Sequence, residues 1–248
     1  MNALVVLITG ALTVIGRATA LAFAQEGAQI VVSGRRDEAG HKLVADLRAR
    51  NAEAEYVRTD VRHEDEVRHL IDQTLARFGR LDVAVNNAGT QGKLSLLTDQ
   101  STASYAATFD TNVLGTLLSM KHELRVMLAQ GYGSIVNVSS TYGRKGIAGA
   151  SIYVASQHAV EGLTKAAALE VAAAGIRVNV IAPGPIDTGR LNRFIITTEV
   201  KADLISQIPP KRIGTPDEIA QAIMFVASSK ASFITGASLA VDGGKLAF

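Results

Sequence analysis

The chain has 248 residues, 48% of them hydrophobic, with 25 Lys/Arg against 23 Asp/Glu and a formal net charge of +2. That length admits one large α/β domain or two small ones, and no Pro/Ser-rich linker or charge block divides it, so a single domain over residues 1–248 is expected. The absence of cysteine excludes disulfides and thiolate chemistry, and a mixed charge population with no basic stripe argues against a nucleic-acid partner. The apolar start, Ala3 to Ile8, is too short for a signal peptide or membrane span, which makes a cytoplasmic protein without a membrane partner the expectation. His41, His63, His69, His122 and His158 show no ligand spacing with a carboxylate, so no catalytic metal is expected.

In chain order, Ala3–Thr9 is an unbroken apolar run, as a strand buried on both faces should be. A helix follows from Gly16-Arg17-Ala18, with Ala18, Leu21, Ala22 and Gln25 at helical spacing. Gln29–Ser33 reads as a strand, Asp37 to Arg50 as a helix with Leu43 and Leu47 inward, and Glu55–Thr59 as a weaker strand ending at Asp60-Val61. The helix Glu64 to Phe78 sets Val67, Leu70, Ile71, Leu75 and Phe78 on one face, with Glu64 and Arg68 expected to pair outside. Leu81–Val85 is a strand running into Asn86-Asn87-Ala88-Gly89. A long helical region from about Ser101 to Gln130 precedes the strand Ser134–Val138. The next helix runs from near Ser151 to about Ala174, and the strand Arg177–Ile181 stops at Pro183-Gly184. Pro216–Ser228 is helical, and Ser238–Val241 is a last strand before Asp242-Gly243-Gly244.

This alternation predicts a predominantly parallel, seven-stranded sheet with helices on both faces, the doubly wound Rossmann arrangement of the α/β class. Thr9-Gly10, Gly34-Arg35, Asp60, Asn86-Asn87, Ser139-Ser140 and Pro183-Gly184 all fall at carboxyl ends of strands, where such a sheet binds its ligand. The stretch Ser139 to Gln157 adds a hydroxyl at a strand end, a phenol at Tyr153 and a polar side chain one helical turn beyond. Such a cluster suits proton transfer to a carbonyl oxygen. Read alone, it is equally an ordinary strand–loop–helix connection.

Together these pieces resemble the short-chain dehydrogenase/reductase family over essentially the whole chain. The matching residues are Thr9-Gly10 through Gly16, Asp60-Val61, Asn86-Asn87-Ala88-Gly89, Asn112, Ser139-Ser140, Tyr153, Pro183-Gly184 with Thr188, Ile234-Thr235-Gly236 and Asp242-Gly243-Gly244. The resemblance, to carbonyl reductases and 3-oxoacyl-ACP-reductase-like members, implies NAD(P)(H)-dependent interconversion of a ketone and a secondary alcohol in a homotetramer or homodimer. It implies that Ser140 hydrogen-bonds the substrate oxygen, that Tyr153 donates the proton, and that the backbone of Asn112 binds a relay water. It places the cofactor on the loop of Gly10, Thr13, Val14, Ile15 and Gly16, the adenine by Asp60 and Val61, and the nucleotide along Asn87 and Gly89. Pro183, Gly184, Ile186 and Thr188 would sit beside the nicotinamide.

Two positions depart from that pattern. Val14 stands where the family has a second loop glycine or an alanine, which implies a re-shaped or weakened cofactor site unless the side chain turns away and packs on neighbouring strands. Gln157 stands where the family has lysine, whose charge lowers the phenol pKa. An unperturbed phenol titrates near ~10 and one adjacent cation shifts it by roughly 1–3 units. Glutamine can still bond a ribose hydroxyl but carries no charge and relays no proton. Oxidation near neutrality should therefore suffer more than reduction.

Ser33-Gly34-Arg35-Arg36 favours NADP(H) over NAD(H). No acid stands at Gly34 to hold a ribose 2′-hydroxyl, and Arg35 can pair with a 2′-phosphate, although two solvated arginines opening a helix would look the same. Gly189 to Pro210 is the expected substrate lid. With Leu94, Tyr142 and Ile147 it points to an apolar pocket for a small-molecule ketone or alcohol, and no arginine stands out as a carboxylate clamp. The alanine-rich helix from Ala155 to Ala174 fits close packing in a symmetric oligomer. A silent nucleotide-binding or scaffold relative, or an altered variant of an active reductase, would carry the same marks at Val14 and Gln157.

Overall fold

The computed structural model describes residues 3–188 and 198–247. It begins with strand β1 (Val5–Thr9) and helix α1 (Val14–Gln25), followed by β2 (Gln29–Gly34), α2 (Asp37–Arg48), β3 (Ala54–Arg58) and α3 (Glu64–Phe78). Strand β4 (Val83–Asn86) leads through α4 (Thr102–Phe109) and α5 (Gly115–Gln130) to β5 (Gly133–Val138). The order closes with α6 (Ser151–Val171), β6 (Ile176–Pro183), α7 (Thr198–Ser206), α8 (Pro216–Ala227) and β7 (Ser238–Val241). The seven strands form one parallel sheet in the order β3-β2-β1-β4-β5-β6-β7.

Side-chain alternation along the strands divides the core in two. Val6, Ile8, Ile30 and Val32 face a layer built by Phe23 of α1, Leu43 and Leu47 of α2, and Ile219 and Ile223 of α8. Leu7 and Val31 face Leu70 and Ile71 of α3, Met120 and Met127 of α5, and Val171 of α6. Each such large apolar side chain stabilises the fold by about 1.5–3 kcal/mol when fully buried. Among the described residues no helix is long and apolar enough to cross a membrane.

Three local expectations are corrected. Helix α1 starts at Val14 rather than Gly16, because the Thr13 hydroxyl accepts from the Gly16 N–H at 3.3 Å and caps the helix earlier. The helical region after Ser101 is not continuous, since Asp110–Leu114 forms a π-helical turn between α4 and α5. Glu64 and Arg68 do not pair. Arg68 bonds Asp65 at 2.7 Å, while Glu64 accepts from Lys121 at 2.6 Å and lies 3.1 Å from His122 Nε2. Packing of α5 beside α3 supplies those partners, and it outweighs an i,i+4 preference worth only about 0.2–0.5 kcal/mol.

The chain reverses its direction of travel across the sheet between β1 and β4, which creates the crevice at the carboxyl ends. Beneath that point lies a buried polar chain. Asn86 Nδ2 donates to Glu123 Oε2 and to Asn137 Oδ1, both at 3.0 Å, and Asn137 Nδ2 donates to Thr164 Oγ1 at 2.8 Å. Burial pushes the Glu123 carboxyl up to about 7, against a smaller downward effect of the Asn86 hydrogen bond.

Candidate active site

The loop after β1 is held tightly from below. Gly10 has φ +61°, and a Cβ there would lie 2.7 Å from Ala88 Cα; at Gly16 it would lie 2.5 Å from the Gly10 carbonyl oxygen. Asn87 Nδ2 donates to the Gly10 carbonyl at 2.9 Å and to Thr13 Oγ1 at 3.1 Å, and Thr9 Oγ1 accepts from the Asn87 N–H at 3.2 Å. Loop, helix cap and the end of β4 are thus one hydrogen-bonded unit. The first turn of α1 presents Thr13, Val14 and Ile15 to the crevice, where free N–H groups of a helix start favour an anion.

The backbone at Val14 is ordinary, and of the two readings of that position only the packed-away one is excluded. Asn51 and Lys211 are the non-glycine residues with positive φ among those described, so Val14 carries no such strain. Nor does its side chain pack away on the strands: it is 44% exposed and faces the crevice.

That crevice opens into a cleft of about 460 Å³. Ser140, Tyr153 and Gln157 line it together, with Asn87 and Gly89 on one side and Pro183, Gly184, Ile186 and Thr188 on another. Leu94, Tyr142 and Ile147 form an apolar flank. Ser140 lies two residues beyond β5 and caps a short 3-10 turn, its Oγ accepting from the Tyr142 N–H at 3.2 Å. Tyr153 and Gln157 stand one turn apart on α6, and the Tyr142 ring meets the Tyr153 ring edge-on at 6.5 Å. Burial raises the pKa of the Tyr142 phenol.

Gln157 is 5% exposed, and its Oε1 is buried with no hydrogen-bond partner. Leaving a buried acceptor unpaired costs about 1–3 kcal/mol. The residue as a whole lines the cleft, so a small side-chain rotation would bring its amide to a ligand there.

The other residues singled out from the sequence do not line the cleft. Gly10 and Gly16 lie under it, as described. Val61 packs in a small core cluster with Val67 and Leu118. Asn112, in the π turn, exchanges two 2.8 Å hydrogen bonds with the Thr90 backbone, donates to Ser156 Oγ at 2.9 Å, and accepts from Thr116 Oγ1 at its own carbonyl. It therefore ties α6 to the segment after β4. Asp60 is held by Arg62 at 2.6 Å, and chiefly these hydrogen bonds bring its carboxyl down to about 2. Arg35 Nη1 lies 3.7 Å from the same carboxylate. Residues 189–197 of the expected lid lie outside the described residues.

A family model described as enoyl-(acyl carrier protein) reductase matches residues 10–245. The chain belongs to the short-chain dehydrogenase/reductase family. It is 42% identical over 240 residues to the cis-4-hydroxycyclohexanecarboxylate dehydrogenase of Sinomonas cyclohexanicum, an alignment covering 97% of this chain and 95% of that relative. Among solved structures, NAD+-bound xylitol dehydrogenase superposes with a TM-score of 0.94 at 34% identity, covering 98% of this chain and 99% of that one. The structure titled ElxO with NADP bound superposes at 0.93 with 36% identity and covers 100% of both chains. The chain is an NAD(P)-dependent dehydrogenase/reductase of the secondary alcohol–ketone class.

Two further glycines lie close against their neighbours. A Cβ at Gly34 would lie 2.7 Å from Leu12 Cδ1, so Leu12 fills the space that an acidic side chain there would need. A Cβ at Gly184 would lie 2.6 Å from Asp242 Cβ, which keeps the wall after β6 close against the C-terminal turn. Sequence reasoning missed Arg62, whose only signal is a cation two residues after Asp60. Asp203, Leu204 and Gln207, within the expected lid though not singled out there, also line the cleft. Lys245, which reaches it from the C-terminal turn, was missed, and no periodicity or spacing flags it. Among the described residues no group of three or more metal-ligating side chains occurs.

Proposed function

We propose that this protein reduces a ketone to a secondary alcohol and runs the reverse reaction, with one domain holding both nucleotide and substrate. The observation that carries this reading is the convergence of Ser140, Tyr153 and Gln157 on one cleft beside the α1 cap. The nicotinamide dinucleotide supplies or accepts hydride when bound. Ser140 Oγ, already an acceptor from the Tyr142 N–H, keeps its own proton to donate to the substrate oxygen. The Tyr153 phenol gives its proton to that oxygen in reduction and takes one back in oxidation. Gln157 offers its unpaired Oε1 to a ribose hydroxyl and orients the ring without supplying charge. Asn112 acts at one remove, fixing α6 through Ser156. The N–H groups at the start of α1 take the phosphates, with Thr13 and Ile15 beside them, while Asp60 and Val61 flank the adenine.

NADP(H) is the favoured cofactor. Leu12 occupies the room an acid at position 34 would need, and Arg35 is held to Asp60 only loosely, at 3.7 Å, because Arg62 already satisfies that carboxylate. A 2′-phosphate would offer Arg35 a closer, doubly charged partner. The substrate reading is an alicyclic ketone or alcohol, supported by the apolar flank of the cleft and by the ring-bearing substrate in the name of the Sinomonas relative. Leu169, 85% exposed, and the fully exposed Phe233 fit burial in a homodimer or homotetramer.

A silent nucleotide-binding relative is the second reading, favoured by Val14 projecting where phosphates would lie and by the uncharged Gln157. The test is NADPH binding followed by fluorescence, then turnover with a panel of cyclic ketones. Turnover that drops at least about 100-fold in Tyr153→Phe with NADPH binding retained supports the enzyme. Binding without any turnover supports the silent relative.

A further inference from the structure

The cleft contains a cation that the reaction does not use. Lys245 lies in the turn after β7, is only 9% exposed, and lines the same cleft as Tyr153 and Gln157. No carboxylate among the described residues lies within 4.0 Å of its amine. The two acids nearest in charge are engaged elsewhere. Asp242 accepts from the Gly244 N–H at 2.9 Å and the Leu246 N–H at 2.8 Å, and Asp203 accepts from Gln207 Nε2 at 2.9 Å. Burial, with Lys145 adding like charge, lowers the Lys245 pKa against the opposing pull of Asp203 and Asp242.

A buried ammonium without an ion pair is costly, and the common outcome in proteins is pairing. Lys245 lines a cleft whose other lining residues include Leu204, Tyr142 and Ile147. A ligand matching that surface has an apolar body and one anionic group. Resting on the ketone-reductase reading above, we propose that Lys245 is the specificity residue of the substrate site. It binds the carboxylate of an alicyclic keto acid or hydroxy acid whose ring lies on the apolar flank and whose reacting carbon faces Tyr153. Lys145 adds like charge there, and Asp203, hydrogen-bonded to Gln207, makes no ion pair with the lysine within 4.0 Å.

The experiment compares NADPH-linked reduction of 4-oxocyclohexanecarboxylate and cyclohexanone by the wild type, Lys245→Met and Lys245→Arg. The wild type should prefer the keto acid at least about tenfold in kcat/KM, through KM rather than kcat. Lys245→Met should abolish that ratio and Lys245→Arg should restore part of it. No preference in the wild type, or a preference that survives Lys245→Met, overturns the assignment while leaving the reductase intact. Absence of turnover with every ketone counts against the reductase instead. Lys245 is then read by calorimetric titration of cyclohexanecarboxylate into the NADPH-loaded protein. Binding at least tenfold weaker in Lys245→Met supports the site. Equal or absent binding, or equal competition by inorganic phosphate, overturns it.

Discussion

Replacing Gln157 with lysine should lower the pH at which alcohol oxidation switches on. Side chains at i and i+4 on a helix stand about 5–6 Å apart at Cβ. The new ammonium would therefore sit roughly 5 Å from the Tyr153 phenol, one turn away on α6. At that distance and an effective dielectric of about 20 the attraction for a phenolate is about 3 kcal/mol. That energy lowers the phenol pKa by about two, and by about one if the open cleft screens half of it. Oxidation needs the phenolate, so on the acid side of the transition each tenfold gain in its population raises the rate tenfold, giving roughly 10–100-fold at neutral pH. Reduction uses the phenol and should change little there. The assay is kcat/KM for a cyclic alcohol from pH 6 to 10 with saturating cofactor, in the wild type, Gln157→Lys and the uncharged control Gln157→Met. Superimposable acid limbs for wild type and Gln157→Lys would refute the electrostatic reasoning.

Other outcomes follow from the same geometry. Glu123 is fully buried with its carboxyl raised to about 7 against an ordinary 4.5, so the unfolded state releases its proton first as pH rises. Its contribution is complete below about 4.5 and declines toward 7, by about 3 kcal/mol in all, and Glu123→Gln should remove that decline, as urea unfolding at pH 5 and pH 8 will read. Val14→Gly should tighten NADPH binding severalfold in a fluorescence titration, because the side chain that leaves is exposed toward the phosphate position. It should also cost α1 about 1 kcal/mol of helix propensity, visible in Tm. Arg35→Ala should reduce the NADPH-over-NADH ratio in kcat/KM by about tenfold or more while NADH kinetics stay near wild type.

Much of this arrangement is legible in the chain itself, for identifiable reasons. Helix α3 and strand β7 fall on their expected bounds because a strong apolar period and flanking turn residues mark both ends. The parallel, doubly wound arrangement follows from the alternation of strands and helices with right-handed crossovers. Ser140, Tyr153 and Gln157 could be marked because a strand end and a helix start are local signals, and Thr13 only through the resemblance of the glycine loop. What sequence could not supply is the identity of partners brought together by packing. Glu64 meets Lys121 only because α3 lies against α5, and Arg62 turns back to Asp60 through a loop no pattern describes. Leu12 filling the space beside Gly34 is likewise a contact between separate loops. Lys245 comes to the cleft from the far end of the chain, where neither period nor spacing reports its direction.

The crowding around Gly10 and Gly16, set against the openness at Val14, divides one seven-residue loop into parts under different rules. At its two ends backbone touches backbone, and any larger residue would have to displace the chain after β4 or the loop itself. At residue 14 the polypeptide imposes no such steric veto, so helix propensity and, on the proposed reading, the nucleotide decide what stands there. Evolution, or an engineer, can thus adjust how firmly this enzyme holds its redox partner at that one address without reopening the question of whether it folds.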